Sequence, residues 1–231
     1  VSATPIELND PRFKEQNFKM IEIQPTFDYK KELWLHHTNN TLQALKTVLS
    51  KLDNEEAAPL PICVFINSTD IIYSLMKQLD LLEDSAVFCA PKSVDKLKKN
   101  RFCNVYEEWN KDKMKRYNFF TSRFFNAVDM ELEEQPHVIM LTDVYFAEHT
   151  MIDPYTDAIQ IVGRFRNGVS SITYISNTQK GLPQRSKEEI KGYLICSKEI
   201  YRTMKNFYDC AADRASRDAY RAALESLPFN R

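Results

Sequence analysis

Gln160, Gly163, Arg164 and Arg166 stand close together in the stretch DAIQIVGRFRNG, residues 157–168, of a chain with only four glycines. Gln160 and Arg164 are four apart, so on a helix they share one face. Gly163 lets another backbone or a ligand come close, and Asn167-Gly168 is a natural helix stop. Arginine suits a phosphate at such a place, because its planar fork donates two directed, charge-assisted hydrogen bonds. The same residues also read as a plain helix end with a capping arginine. Two further polar groups follow apolar runs. Thr121, Ser122 and Arg123 come at the end of YNFFTS (117–122), and TDVYFAEHT continues from HVIMLTD (137–143). In open α/β sheets, ligands gather at the carboxyl ends of the strands. Thr121 and Ser122 could equally satisfy strand-end backbone groups, and Asp129 could be a solvated turn aspartate.

The elements that position these residues alternate. Leu42, Leu45, Val48, Leu49 and Leu52 predict a helix over 41–52. ICVFIN (62–67) reads as a strand, and a helix follows over 69–82 with Ser68 as its cap. AVFCA (86–90) is a strand, SVDKLKKN a helix, and FCNVY (102–106), YNFFTS and HVIMLTD are strands. Asp153-Pro154 predicts the start of a helix running to about Arg164, and SSITYIS (170–176) closes the series as a strand. Residues 9–37 carry few signals and read as irregular. Strands alternating with helices predict a mostly parallel sheet covered on both faces. From Ser186 only helix formers remain, which predicts an extension of two or three helices.

Composition narrows the function. The chain has 231 residues, 43% hydrophobic and 27% charged, enough for one large domain with a core. A net charge of −1 gives no global field towards nucleic acid, so any such contact is local. Cys63, Cys89, Cys103, Cys196 and Cys210 form no CxxC pair, and the first three sit in apolar runs. They read as buried reduced thiols, which suits a cytoplasm. No metal-ligand spacing, transmembrane run or signal peptide is visible. Phe119, Phe120, Phe124 and Phe125 read as core rather than as a base-stacking platform. KSVDKLKK and NKDKMKRY read as solvated basic faces rather than phosphate tracks. Tyr193, Leu194, Ile200, Tyr201, Met204 and Phe207 make an apolar stripe in the C-terminal extension. It packs either on the α/β domain or on a partner.

Four stretches in order carry a resemblance. VSATP (1–5) is similar to the Ser-Ala-Thr of motif III in the superfamily II helicases, and PICVFINS (61–68) to the strand opening motif IV. FFTSRFFNAVDM (119–130) resembles motif V, and QIVGRFR (160–166) resembles motif VI, Gln-x-x-Gly-Arg-x-x-Arg. The resemblance covers residues 1–178 and is to the second RecA-like domain of that family. It departs from the pattern at Ala127, where motif V has glycine, and at Asn167, where motif VI has its last arginine. Arg166 lies one residue early. On a continuous helix it would point about 200° away from a residue two positions before it, namely Arg164.

The resemblance implies an α/β RecA-like fold over 9–183, the tail of motif III from a missing first RecA-like domain at 1–8, and a helical extension over 184–231. It implies that Gln160, Arg164 and Arg166 face the γ-phosphate of ATP, with Arg164 the principal group and Arg166 a candidate finger. Asp129 and Gly163 would belong to the nucleotide site. Thr121, Ser122 and Arg123 would touch the nucleic-acid backbone, and Ser2 and Thr4 would couple the two domains. ATP and Mg2+ would be held mainly by the missing first domain, because these residues contain no G-x-x-x-x-G-K-[ST] loop. The chain alone is then expected to be inactive. DNA is favoured over RNA as the track, since motifs V and VI lack their regular DEAD-box form. The alternatives are a non-enzymatic interaction module with a degenerate helicase fold, and an unrelated α/β domain binding a small phosphorylated ligand.

Overall fold

Each buried strand sends successive side chains to opposite faces. In ICVF, Ile62 and Val64 enter one core cluster while Cys63 and Phe65 enter the other. The same division runs through the other central strands, which explains why they are mostly apolar, with Asn118 the buried polar residue inside β5. The computed structural model describes residues 30–55, 59–126, 128–177 and 185–227, with isolated positions between 13 and 26. Ser2, Thr4 and Ala127 lie outside the described residues.

Seven strands form one sheet: β1 (Trp34–His37), β2 (Ile62–Phe65), β3 (Ser85–Phe88), β4 (Val105–Tyr106), β5 (Tyr117–Phe120), β6 (His137–Thr142) and β7 (Ser171–Ser176). Their order across the sheet is β1-β7-β6-β2-β5-β3-β4, and every pair is parallel. With helices packed on it, this is the expected α/β architecture, consistent with a RecA-like fold. The chain divides into two compact units, Val1–Lys180 and Gly181–Arg231.

Among the described residues the two faces are covered unequally. On one, α1 (Thr41–Glu55), α2 (Thr69–Gln78) and α3 (Pro91–Lys99) bury Leu45, Leu49, Ile72, Met76, Val94 and Leu97. On the other, the seven-residue α4 (Asp157–Gly163) joins the irregular segment that carries Phe124, Phe125, Met130 and Leu132. Phe120 stacks between Phe65 and Phe88, each at 4.9 Å, so these rings are core.

Several boundaries differ from the sequence reading, each for a local reason. Ser68 caps α2 as expected, its hydroxyl accepting from the Ile71 amide at 3.4 Å. The helix ends four residues early because Asp80 takes a left-handed φ of 57° and the Leu81 amide returns to the Met76 carbonyl. Residues 34–37, expected to be irregular, form β1, which pairs in register with β7. Cys63 and Cys89 are buried, but Cys103 is exposed, contrary to expectation, and so are Cys196 and Cys210.

In the second unit, α5 (Lys187–Cys210) and α6 (Arg214–Ser226) form a helical pair. Ser186 and Glu189 make a reciprocal capping box at the start of α5, and the Asp213 carboxylate caps α6 by accepting from the Ser216 amide at 2.8 Å. Phe207 stacks on Tyr220 at 5.6 Å across the pair. Among the described residues no helix is long and apolar enough to cross a membrane.

Candidate functional site

The position of Arg166 depends on where α4 stops. Asp153-Pro154 forms a turn rather than the first helical turn, because the Asp153 carboxylate accepts from the Tyr155 and Thr156 amides at 2.7 and 2.9 Å. The helix therefore starts at Asp157 and ends at Gly163, with Arg164 as its cap. Phe165 then makes a parallel bridge with Met130. The Met130 amide donates to the Arg164 carbonyl at 2.8 Å, and the Arg166 amide donates to the Met130 carbonyl at 3.2 Å. Phe165 points inward onto Phe65, ring edge to ring face at 6.1 Å. Phe165 is buried, while the side chains of Arg164 and Arg166 on either side of it both reach the Asp129 carboxylate.

They converge on Asp129. Its Oδ1 accepts from Arg166 Nη2 at 2.6 Å and from Arg164 Nη1 at 3.4 Å. The two arginines are otherwise unlike. Arg164 is 15% exposed at its side chain, and its Nε, Nη1 and Nη2 also donate to the Gln160 carbonyl, the Asn126 carbonyl and Gln160 Oε1. Arg166 is 47% exposed and otherwise donates only to the Gly163 carbonyl at 3.2 Å among the bonds described. Arg164 is thus held as a hub, and Arg166 is the guanidinium more open to a ligand. Asn167 is structural, since its amide donates to the Leu132 carbonyl at 2.7 Å. Gly163 has open space where a side chain would begin, with no atom within 4 Å.

A second polar cleft opens at the carboxyl ends of β2, β3 and β5, lined by Asn67, Ser93, Ser122, Arg123 and His149. Ser122 and Arg123 are exposed there. Thr121 is buried, and its hydroxyl reaches the Phe88 carbonyl at 3.5 Å, which is the strand-end role. Asn67, which sequence reasoning did not single out, joins the two walls. Its amide donates to the His149 carbonyl at 3.0 Å, and its oxygen accepts from the Ser122 amide at 3.4 Å. Its position just past a buried strand was the available signal. Arg123 also lowers the Cys89 thiol pKa, but burial outweighs it and pushes that group up to about 11.

The loop after β6, which brings His149 to that cleft, is anchored at its start. The buried Asp143 carboxylate accepts from the Thr41 hydroxyl and the Asn177 amide, each at 2.7 Å. Among the described residues, no group of three or more His, Cys, Asp or Glu side chains could hold a metal ion. The donors at Arg164, Arg166 and Gln160 fit an anion such as a phosphate. No known protein-family model matches the chain, and no curated protein is significantly similar to it.

Proposed function

We propose that the chain is the second RecA-like domain of a superfamily II ATP-dependent helicase or translocase. The observation that supports this is the convergence of Arg164 and Arg166 on Asp129, beside Gln160. These four residues come from the stretches that resemble motifs V and VI, and the Met130–Phe165 bridge brings Asp129 to the other three from 31 or more positions away in sequence.

In this reading a first RecA-like domain, not contained in these residues, would hold ATP and Mg2+, and the metal would supply charge neutralisation at the phosphates. Arg166 moves from Asp129 to the γ-phosphate and stabilises charge that develops on the transferring group. Arg164, fixed by Gln160, keeps the backbone of residues 160–166 in place and presents its own charge behind it. Asp129 aligns both forks before the nucleotide arrives. Ser122 and Arg123 offer a hydroxyl and a cation to the backbone of a nucleic-acid strand, with DNA favoured over RNA. The setting is a cytoplasm, where the free cysteines stay reduced.

The purified chain should hydrolyse no ATP by itself. A single-stranded DNA oligonucleotide should bind it weakly, with affinity falling as salt rises. ATP turnover by the chain alone, at a rate unaffected by Arg166→Ala, would overturn the proposal.

A further inference from the structure

The loop between β6 and α4 exposes four large apolar side chains: Tyr145 at 55%, Phe146 at 83%, Met151 at 62% and Tyr155 at 82%. Single exposed apolar residues are ordinary, but a group this close together in the chain marks a contact surface. Tyr145 and Phe146 stand on a fixed backbone. The Val144 amide donates to Asn177 Oδ1 at 2.9 Å, the Ala147 amide to the Asp143 carbonyl at 3.0 Å, and the Thr150 hydroxyl to the Ala147 carbonyl at 2.8 Å. Tied on both sides, this turn holds two adjacent aromatic rings out to solvent.

The same loop walls the polar cleft of about 320 Å³ that holds Ser122 and Arg123. His149 lines that cleft, and its carbonyl accepts from the Asn67 side-chain amide at 3.0 Å. Phe146 is three residues before His149, so at most about 11 Å of extended chain separates it from the cleft. Three stacked nucleotides cover about the same length, at roughly 3.4 Å each. Asp70, the acidic side chain lining the cleft, already pairs with Lys96 at 2.6 Å. Glu148 is exposed in the loop, so attraction for a strand must come from Arg123 together with stacking rather than from a broad positive field. A cation and a hydroxyl beside exposed rings are the combination that holds a single strand, phosphates on the polar groups and bases on the rings. A wholly apolar partner would leave Ser122 and Arg123 without acceptors, whereas a strand supplies them.

We infer that Tyr145 and Phe146 form a stacking platform for the bases of single-stranded DNA whose phosphates lie on Ser122 and Arg123. This rests on the nucleic-acid contact proposed for those two residues and makes no use of the arginines beside Asp129. Every base has a π face, so the platform grips a strand without reading its sequence.

Fluorescence anisotropy of the full 231-residue chain at low salt tests it, with two labelled probes of about twelve units: an oligothymidylate and an abasic deoxyribose-phosphate chain. Wild type should prefer the oligothymidylate. Phe146→Ala and Tyr145→Ala should each weaken oligothymidylate binding by about tenfold and leave abasic binding unchanged, with unaltered circular dichroism to show that the chain is folded. Arg123→Gln should weaken both probes alike. Phe146→Trp should keep the wild-type affinity, and its added indole emission should be quenched by the oligothymidylate and not by the abasic chain. Wild-type affinity for the oligothymidylate in both alanine variants, with Arg123→Gln still weakened, would overturn the platform and leave the strand contact standing. A wild-type chain that binds neither probe would overturn both. If the rings instead meet a second copy, Phe146→Ala would abolish self-association in sedimentation velocity without changing oligothymidylate binding, which would also overturn the inference.

Discussion

The arginine pair is where single residues decide most. Arg164 and Arg166 share one carboxylate but differ in what else holds them, so their removal should differ too. Arg164→Ala leaves the Asn126 carbonyl and Gln160 without their donor and should destabilise the chain by about 1–3 kcal/mol. Arg166→Ala removes an ion pair open to solvent on both sides and should cost less than about 1 kcal/mol. Urea denaturation of the two variants measures the difference, and equal losses would show that Arg164 is no hub. The residues of this site were legible in the sequence, and their arrangement was not. Gln160, Arg164 and Asp129 stood in recognisable order. Arg166 depended on Phe165 bridging Met130, a contact between segments 35 positions apart that no local pattern reports. Thr121 shows the reverse case. Its type suggested a ligand contact, but its hydroxyl lies on the Phe88 carbonyl of a neighbouring strand.

Among the elements, α4 controls the site through its two ends. Gly163 ends the helix with open space around it, so Gly163→Ala should be neutral or stabilise the isolated chain by up to about 1 kcal/mol. Gly168 is the opposite. Its φ of +90° and the Gln135 side chain 3.1 Å from a would-be Cβ predict that Gly168→Ala destabilises by about 1–2 kcal/mol. Thermal unfolding of the pair reads both signs at once. If Gly163→Ala also lowers ATP turnover in an intact protein, something from outside this chain must approach that glycine. The central strands and α1 to α3 were legible because continuous apolar runs and helical stripes are strong signals. β1 was not, because Trp34–His37 is exposed at all four positions and is held as an edge by its pairing with β7. The start of α4 was misplaced because Asp-Pro serves a turn as well as a helix cap, and only the Asp153 bonds to residues 155 and 156 distinguish them.

For the molecule as a whole, charge and cover set the behaviour. Tyr117 joins β5 to α1 through a 2.7 Å bond from its hydroxyl to the Asp53 carboxylate. Burial first, and then that hydrogen bond and the Asp53 charge, raise the phenol from its ordinary 10 to about 12, against the opposing effect of Arg116. The folded chain thus keeps this proton at a pH where the unfolded chain loses it. Its contribution is complete below pH 10 and declines as pH rises towards 12. Tyr117→Phe should flatten the fall in stability over that window, measured by urea midpoints at several pH values. The sheet itself is the larger device, since its carboxyl edge gathers Asn67, Ser122 and Arg123, while the Met130–Phe165 bridge sets the arginines beside Asp129. The proposed function requires that a phosphate arrives at the arginines. The most direct measurement is nucleic-acid-stimulated ATP turnover by an intact polypeptide that joins this chain to a phosphate-loop domain, comparing wild type with Arg166→Ala. The account predicts a fall in kcat of about a thousandfold or more at unchanged stability; turnover equal to wild type would contradict it.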